Sequence, residues 1–304
     1  MSQRERDQAT IERPGMMRQV QPDYYVMRLK ALAGDLTARQ LACIAEVAEQ
    51  YGRGSVHLST RQGVEIHYVH RDDLEMARET LAGAGIGMGA GGPRVRSVVA
   101  CPGAETCRLG VIGTKELARE LDARYFRQEM PSKCKISVTV CPSNCTKANE
   151  NDIGIRGAVE PVWHASSCKD CGLCLGFCPL GAISRHHQGD SHAGEVRYRI
   201  DEDICVNCTI CTSLCTSDAW VVGRKGYTVF IGGTMGRSPR LASVLKKIVE
   251  SEEEVYALVD ASIECYRAKA LKKERFGHMI DRVGLEAVRE DILEKASAMQ
   301  QEVY

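Results

Sequence analysis

Twelve of the fifteen cysteines fall into three groups whose spacing suits metal chemistry. Cys168, Cys171, Cys174 and Cys178, with Pro179 behind the last, spell C-x2-C-x2-C-x3-C-P. Cys205, Cys208, Cys211 and Cys215 repeat that spacing 37 residues on. Three thiolates on one tight turn wrap three corners of an iron–sulfur cubane, and in this pattern the fourth comes from the other run. The spacing therefore predicts one [4Fe–4S] cluster on Cys168, Cys171, Cys174 and Cys215, and a second on Cys205, Cys208, Cys211 and Cys178. Structural zinc sites also use C-x2-C pairs, but zinc gives no reason for the third C-x2 step or the Cys-Pro. Thr216 stands where a second proline is expected. Alone, such a segment is an electron wire.

Four more cysteines lie upstream, Cys101 with Cys107 (C-x5-C) and Cys141 with Cys145 (C-x3-C). The eight ligands of the repeat are already assigned, and four thiolates in two pairs suit a third [4Fe–4S] cluster. The remaining cysteines invite blander readings. Cys43 is expected in a helix core, Cys134 on the buried side of a strand, and Cys265 in a helical tail. His186 and His187 are expected to be exposed in the loop between the cysteine runs. Glu252 to Glu254 reads as a solvated helix start, favourable to the helix dipole.

The elements that must position these groups alternate from the outset. Tyr25, Met27 and Leu29 have period two and predict a strand with one buried face. Thr37 to Gln40 forms a capping box, opening a helix whose apolar face is Leu41, Ile44, Ala45 and Ala48 and which stops near Gly52. Val56 and Leu58, then Val64, Ile66 and Tyr68, flank Arg61-Gln62-Gly63 as a hairpin. A second capping box, Asp72 to Glu75, opens another helix. The order β-α-β-β-α predicts a small α+β sheet with helices on one face. Gly83 to Gly92 reads as a boundary or loop, since no G-x-G-x-x-G runs from a strand into a helix there. Strands are expected near Val95–Ala100 and Ile136–Val140, and again at Tyr227, Val229 and Ile231. From Pro239 the tail reads as mostly helical.

Bulk properties narrow the class. The 304 residues are 44% apolar and 26% charged with zero formal net charge, an ordinary globular composition giving no global case for nucleic acid or a membrane surface. Met1 to Pro14 is polar, without the apolar core of a signal peptide, and no apolar run reaches the length of a membrane span. Cysteine-rich chains without a secretory signal hold thiols rather than disulfides, so a cytoplasmic, oxygen-sensitive metalloprotein is expected.

At Cys101-Pro-Gly-Ala-Glu-Thr-Cys107, Cys141-Pro-Ser-Asn-Cys145 and Asn151-Asp-Ile-Gly154 the chain resembles the sulfite and nitrite reductase family. The resemblance covers most of the chain and includes Leu58-Ser-Thr-Arg-Gln62 and Ile231-Gly-Gly233. It implies an α+β fold in three parts: a ferredoxin-like half-domain at 15–88, a sirohaem and [4Fe–4S] domain at 89–160 and 223–304, and an inserted 2[4Fe–4S] ferredoxin domain at 161–222. Such an insert is typical of dissimilatory sulfite reductases and of the anaerobic sulfite reductases. Phe276 to Gly284 fits the latter especially.

The resemblance also implies roles. The last of the four upstream cysteines, Cys145, would bridge the third cluster to sirohaem iron, whose other face takes substrate. The family binds its anion with two arginines and two lysines, matched here by Arg61, Arg96, Lys133 and Lys135. Lys133 and Lys135, two apart on a strand, project to one face while Cys134 and Ile136 take the other. Fixed cations suit an oxyanion, polarise its bonds and can deliver protons. Arg94, Lys147, Asn149 and Arg237 are candidates for the sirohaem carboxylates. Ser143 and Ser132 depart from the residues the family usually has there. The implied activity is reduction of sulfite to sulfide; nitrite reduction and a non-catalytic electron-transfer role are the alternatives. A single sirohaem unit implies a homo-oligomer or heteromeric complex. Without a flavin or nicotinamide fold, electrons are expected from a separate ferredoxin or reductase protein.

Overall fold

The computed structural model describes residues 15–187 and 196–301. The polar stretch Met1–Pro14 lies outside them.

The first unit is a four-stranded antiparallel sheet in the order β1-β2-β4-β3, built from β1 (Met16–Arg18), β2 (Tyr24–Leu29), β3 (Val56–Leu58) and β4 (Val64–His70). Tyr25, Met27 and Leu29 are buried as their alternation requires. Helix α1 (Ala38–Tyr51) carries the expected capping box, with Gln40 N donating to Thr37 Oγ1 and Thr37 N to Gln40 Oε1. It ends at Gly52, where a side chain would strike Ile66. Its buried face is Ile44, Val47 and Ala48; Leu41 and Ala45 are exposed, and Cys43 is only half-buried. Helix α2 (Leu74–Gly83) forms, but not through a capping box. A 3₁₀ turn over Arg71–Asp73 leads into it, and Asp73 at its N-cap makes no side-chain cap bond.

The second unit is a five-stranded mixed sheet. After the loop 84–98 come β5 (Val99–Ala100), α3 (Lys115–Tyr125), β6 (Ile136–Thr139) and β7 (Ile153–Trp163). The cysteine-dense segment follows, with α4 (Leu173–Phe177), β8 (Ile183–His187), β9 (Val196–Ile200) and α5 (Ile210–Leu214). Among the described residues, strands β8 and β9 pair only with each other. His186 and His187 thus belong to a strand rather than a loop, and the exposed His186 ring bonds Ser184 Oγ at 2.9 Å.

The chain then re-enters the large sheet through β10 (Trp220–Ile231), which pairs along the full length of β7, and β11 (Ser243–Val249). The sheet order is β11-β10-β7-β6-β5, and only β5-β6 and β6-β7 are parallel. The tail is mostly helical as expected, with the edge strand β11 ahead of α6 (Glu252–Lys269), α7 (Phe276–Val283) and α8 (Leu285–Gln301). The main core lies where α3, α6 and α7 pack on this sheet, around Ile136, Ile153, Val229, Leu258 and Phe276. Cys134 and Cys265 are fully buried there. Glu252 to Glu254 form the first turn of α6, capped by Ser251 Oγ accepting from Glu254 N.

Candidate active site

The hairpin of β3 and β4 reaches across to the second unit through its tip. Arg61 donates to the carbonyls of Ser97 (3.0 Å) and Ile136 (3.3 Å) and to Asn151 Oδ1. Gln62 clamps Ala100 from both sides, Nε2 to its O at 2.8 Å and its N to Oε1 at 3.1 Å. These bonds fix the hairpin beside β5, one residue before Cys101. Gln62 holds a positive φ of 59° at the tip, a conformation rarely free of strain outside glycine.

Between the two units lies a cavity of about 250 Å³ lined by Arg61, Arg96, Lys133 and Lys135, with Arg28, Ser97 and Thr60. All four cations expected from the sequence share this one space. Lys133 and Lys135 flank the buried Cys134 and share one cavity, as expected, but they lie just before β6 rather than on it. Arg96 donates Nη2 to Gly92 O at 3.0 Å, while its Nη1 is buried with no acceptor among the described residues. An oxyanion or a cofactor carboxylate in the cavity would supply one.

Crowded like charges and burial depress these bases. Burial, then Arg61, Arg275 and Lys133, bring Lys135 down to about 8. Burial brings Arg61 and Arg96 to about 10, so both stay charged at neutral pH. Lys133 is lowered by burial, with Arg275 and Arg96 adding to it.

Two groups that sequence reasoning did not assign organise this field. Asp152 is wholly buried and takes Arg275 Nη2 on both oxygens, at 2.7 and 2.9 Å. It also accepts the Lys135 backbone N–H at 2.9 Å. Burial pushes its carboxyl above the usual range, and Arg275 opposes that push. Arg28 pairs with Glu65 at 2.7 Å on the cavity wall. Asp152 stood within the Asn151–Gly154 motif, and Arg275 directly precedes Phe276. The strand alternation placed Arg28 opposite the buried face of β2. Only the fold shows what these residues touch.

The eight cysteines of the two repeated runs gather as two groups. One small cavity is lined by Cys178, Cys205, Cys208 and Cys211, and another by Cys168, Cys171, Cys174 and Cys215, with Cys211 at its edge. The fourth cysteine of each run thus lies with the first three of the other. Ala182 N–H donates to Cys178 Sγ at 3.3 Å and Trp220 N–H to Cys215 Sγ at 3.4 Å. Among the described residues no three His, Cys, Asp or Glu side chains converge as a single metal ion would need. Four thiols in each set, three from one run and one from the other, are a donor set that suits a [4Fe–4S] cluster.

In the upstream group, Cys101 and Cys141 are buried, Cys107 is half-buried and Cys145 exposed. Val140 N–H donates to Cys101 Sγ at 3.1 Å. Gly157 lets β7 pass Val140, since a Cβ there would stand 2.2 Å from the Val140 carbonyl oxygen.

The weaker candidates do not line the cationic cavity. Arg94 lies next to it, its charge depressing Arg96. Lys147 is exposed, with Glu150 at 3.7 Å. Asn149 Oδ1 is taken by Asn144 Nδ2 at 2.5 Å. Arg237 is exposed in the loop after β10.

A small four-stranded sheet thus stands beside a mixed sheet that carries paired cysteines, with a cation-lined cavity between them. Residues 91–299 match the nitrite and sulphite reductase 4Fe-4S domain, and residues 17–84 the nitrite/sulfite reductase ferredoxin-like half domain. The chain belongs to the nitrite and sulfite reductase family. It is 29% identical over 273 residues to the coenzyme F420-dependent sulfite reductase of Methanocaldococcus jannaschii, covering 89% of this chain and 42% of that protein. It is 28% identical over 170 residues to a component of the anaerobic sulfite reductase of Salmonella typhimurium, covering 49% of this chain and 48% of that one. The chain thus spans less than half the length of the F420-dependent relative. The fold is similar to the crystal structure of dissimilatory sulfite reductase I, with a TM-score of 0.69 at 19% identity, covering 88% of this chain and 69% of that chain. Among the described residues no helix is long and apolar enough to cross a membrane.

Proposed function

We propose that this chain is the catalytic part of a sirohaem-dependent sulfite reductase, taking sulfite to sulfide with six electrons. The observation that carries the reading is the meeting of Arg61, Arg96, Lys133 and Lys135 around one cavity in a chain that also gathers two crossed sets of four cysteines and carries a further C-x5-C and C-x3-C pair. Cys101, Cys107, Cys141 and Cys145 would hold the cluster coupled to sirohaem, with Cys145 as the bridging thiolate. The two crossed sets would hold the clusters of an inserted ferredoxin domain. Sirohaem supplies an iron at which a bound oxyanion accepts electrons.

The protein residues bind, orient and protonate. Arg61 and Arg96 hold the anion through charge-assisted hydrogen bonds, each roughly twice as strong as a neutral one. Lys135 Nζ, with its pKa near 8, keeps a proton at neutral pH yet releases it readily, as a general acid for departing oxygen requires. Lys133 Nζ adds positive charge to the cavity. Asp152 restrains Lys135 through its backbone and offsets Arg275, so the cavity is not overloaded with cations. The partners of this reading are sulfite, a low-potential electron-donor protein or reductase, and the other chains of an oligomer.

Turnover with sulfite and with nitrite under a common artificial donor tests the substrate. A strong preference for sulfite is expected; a strong preference for nitrite would overturn it.

A further inference from the structure

Strand β7 runs between the upstream cysteines and the second cysteine run, pairing with the strand before Cys141 and sending one side chain to the second run. Arg156 pairs in register with Thr139 of β6, two residues before Cys141, and with Thr228 of β10. Its Nη2 reaches the other way, to Val206 O at 3.3 Å, in the turn between Cys205 and Cys208. Val159 N–H donates to Asn207 O at 3.0 Å and fastens the same turn to β7. The guanidinium rests 4.7 Å over the Phe230 ring.

Two polar atoms here are buried without a partner among the described residues: Arg156 Nε and Thr228 Oγ1, cross-strand neighbours on one sheet face. Nor does any carboxylate among the described residues pair with Arg156. Burial pulls its pKa down, and the charges that oppose this are the thiols of Cys141 and Cys208, one from each group. An arginine left without a carboxylate between two sets of cysteines needs a diffuse anionic partner. An iron–sulfur cluster with thiolate ligands is one, and N–H donors to cluster sulfur are among the determinants of reduction potential.

Resting on the cluster reading above, we infer that Arg156 is the positioning residue of an electron junction, joining the cluster on Cys178, Cys205, Cys208 and Cys211 to that on Cys101, Cys107, Cys141 and Cys145. The cluster on Cys168, Cys171, Cys174 and Cys215 is then the outer one, facing the donor. In the transfer one electron leaves the first of these clusters, which is oxidised by one, and reaches the second, which is reduced by one. No bond is made or broken. A low-potential one-electron donor protein replaces the electron through the outer cluster. The fixed positive charge stabilises the reduced form on both sides of the junction, so neither side traps the electron.

Redox titration followed by electron paramagnetic resonance, on the loaded full chain, tests this without reference to turnover. Arg156→Gln should lower the reduction equilibrium of the two flanking clusters at least tenfold, about 59 mV more negative for a one-electron couple. The outer cluster should not move, and Arg156→Lys should stay near wild type. Arg156→Met, which keeps the stem on Phe230, serves if the glutamine variant does not accumulate. Unchanged flanking potentials in variants holding all three clusters would overturn the inference and leave the cluster reading intact, as would an equal shift in the outer cluster. Loss of clusters from both neutral variants, with the lysine variant loaded, would make Arg156 a folding residue and overturn it too. A wild-type protein lacking the upstream cluster by spin count would sink the underlying reading, and the junction with it.

Discussion

Replacing Asp152 by asparagine keeps its shape and removes one buried charge. The carboxylate is 0% exposed and Arg275 10%, so solvent does little to screen the pair. Breaking a buried pair from one side leaves an uncompensated charge and costs about 3–5 kcal/mol. At 1.4 kcal/mol per factor of ten, that is roughly two to three and a half powers of ten in the folding equilibrium. Arg275→Met should cost a similar amount, through an unpaired buried carboxylate. The double variant loses both charges, so its cost should fall clearly below the sum of the two. The assay is urea denaturation of the anaerobically loaded protein for wild type, both single variants and the double. Single costs below about 1 kcal/mol, or a double variant whose loss equals the sum, would refute the view that this pair braces the cavity. Asp152→Asn should also lower Lys135 further, since Asp152 is an attractive charge holding that ammonium up.

Lys135 gives a pH signature. Its folded pKa is lowered to about 8, so the charge that holds the anion is present below that value and lost as pH rises through it. The kcat/KM for sulfite should fall above about pH 8 in wild type, lose that step in Lys135→Met and regain a shifted one in Lys135→Arg; the same step in Lys135→Met would exclude Lys135 as its source. Gly157→Ala places a Cβ 2.2 Å from Val140 O, next to Cys141. It should remove the upstream cluster, about a third of the cluster iron, while iron analysis finds the other two retained; a full iron complement would contradict the close approach.

Much of the fold was legible because local chemistry and tertiary context agreed. The alternation in Tyr25, Met27 and Leu29 and the Thr37–Gln40 box both stand in the structure. The Asp72–Glu75 box failed because the chain turns first through a 3₁₀ step at Arg71, leaving Asp73 at the cap with an αR backbone that cannot present its carboxylate. The face of α1 shifted from Leu41 and Ala45 to Val47 because the neighbouring β4 and α2 cover only that side, a fact of packing rather than periodicity. Strand β11 was missed since Ser243–Val249 exposes two lysines at a sheet edge, where alternation is weak. The crossed gathering of cysteines followed from spacing alone. The Asp152–Arg275 pair and the position of Arg156 did not, because each joins residues brought together only by the fold.

The most direct test is anaerobic quantification of iron, labile sulfide and tetrapyrrole in the purified full chain, with its absorption spectrum. Three [4Fe–4S] clusters and one sirohaem per chain are expected, with Soret and red-region bands and with Cys101, Cys107, Cys141 and Cys145 protected from alkylation. A protein with only two clusters, no tetrapyrrole bands and those four thiols freely alkylated would contradict the account and leave an electron carrier.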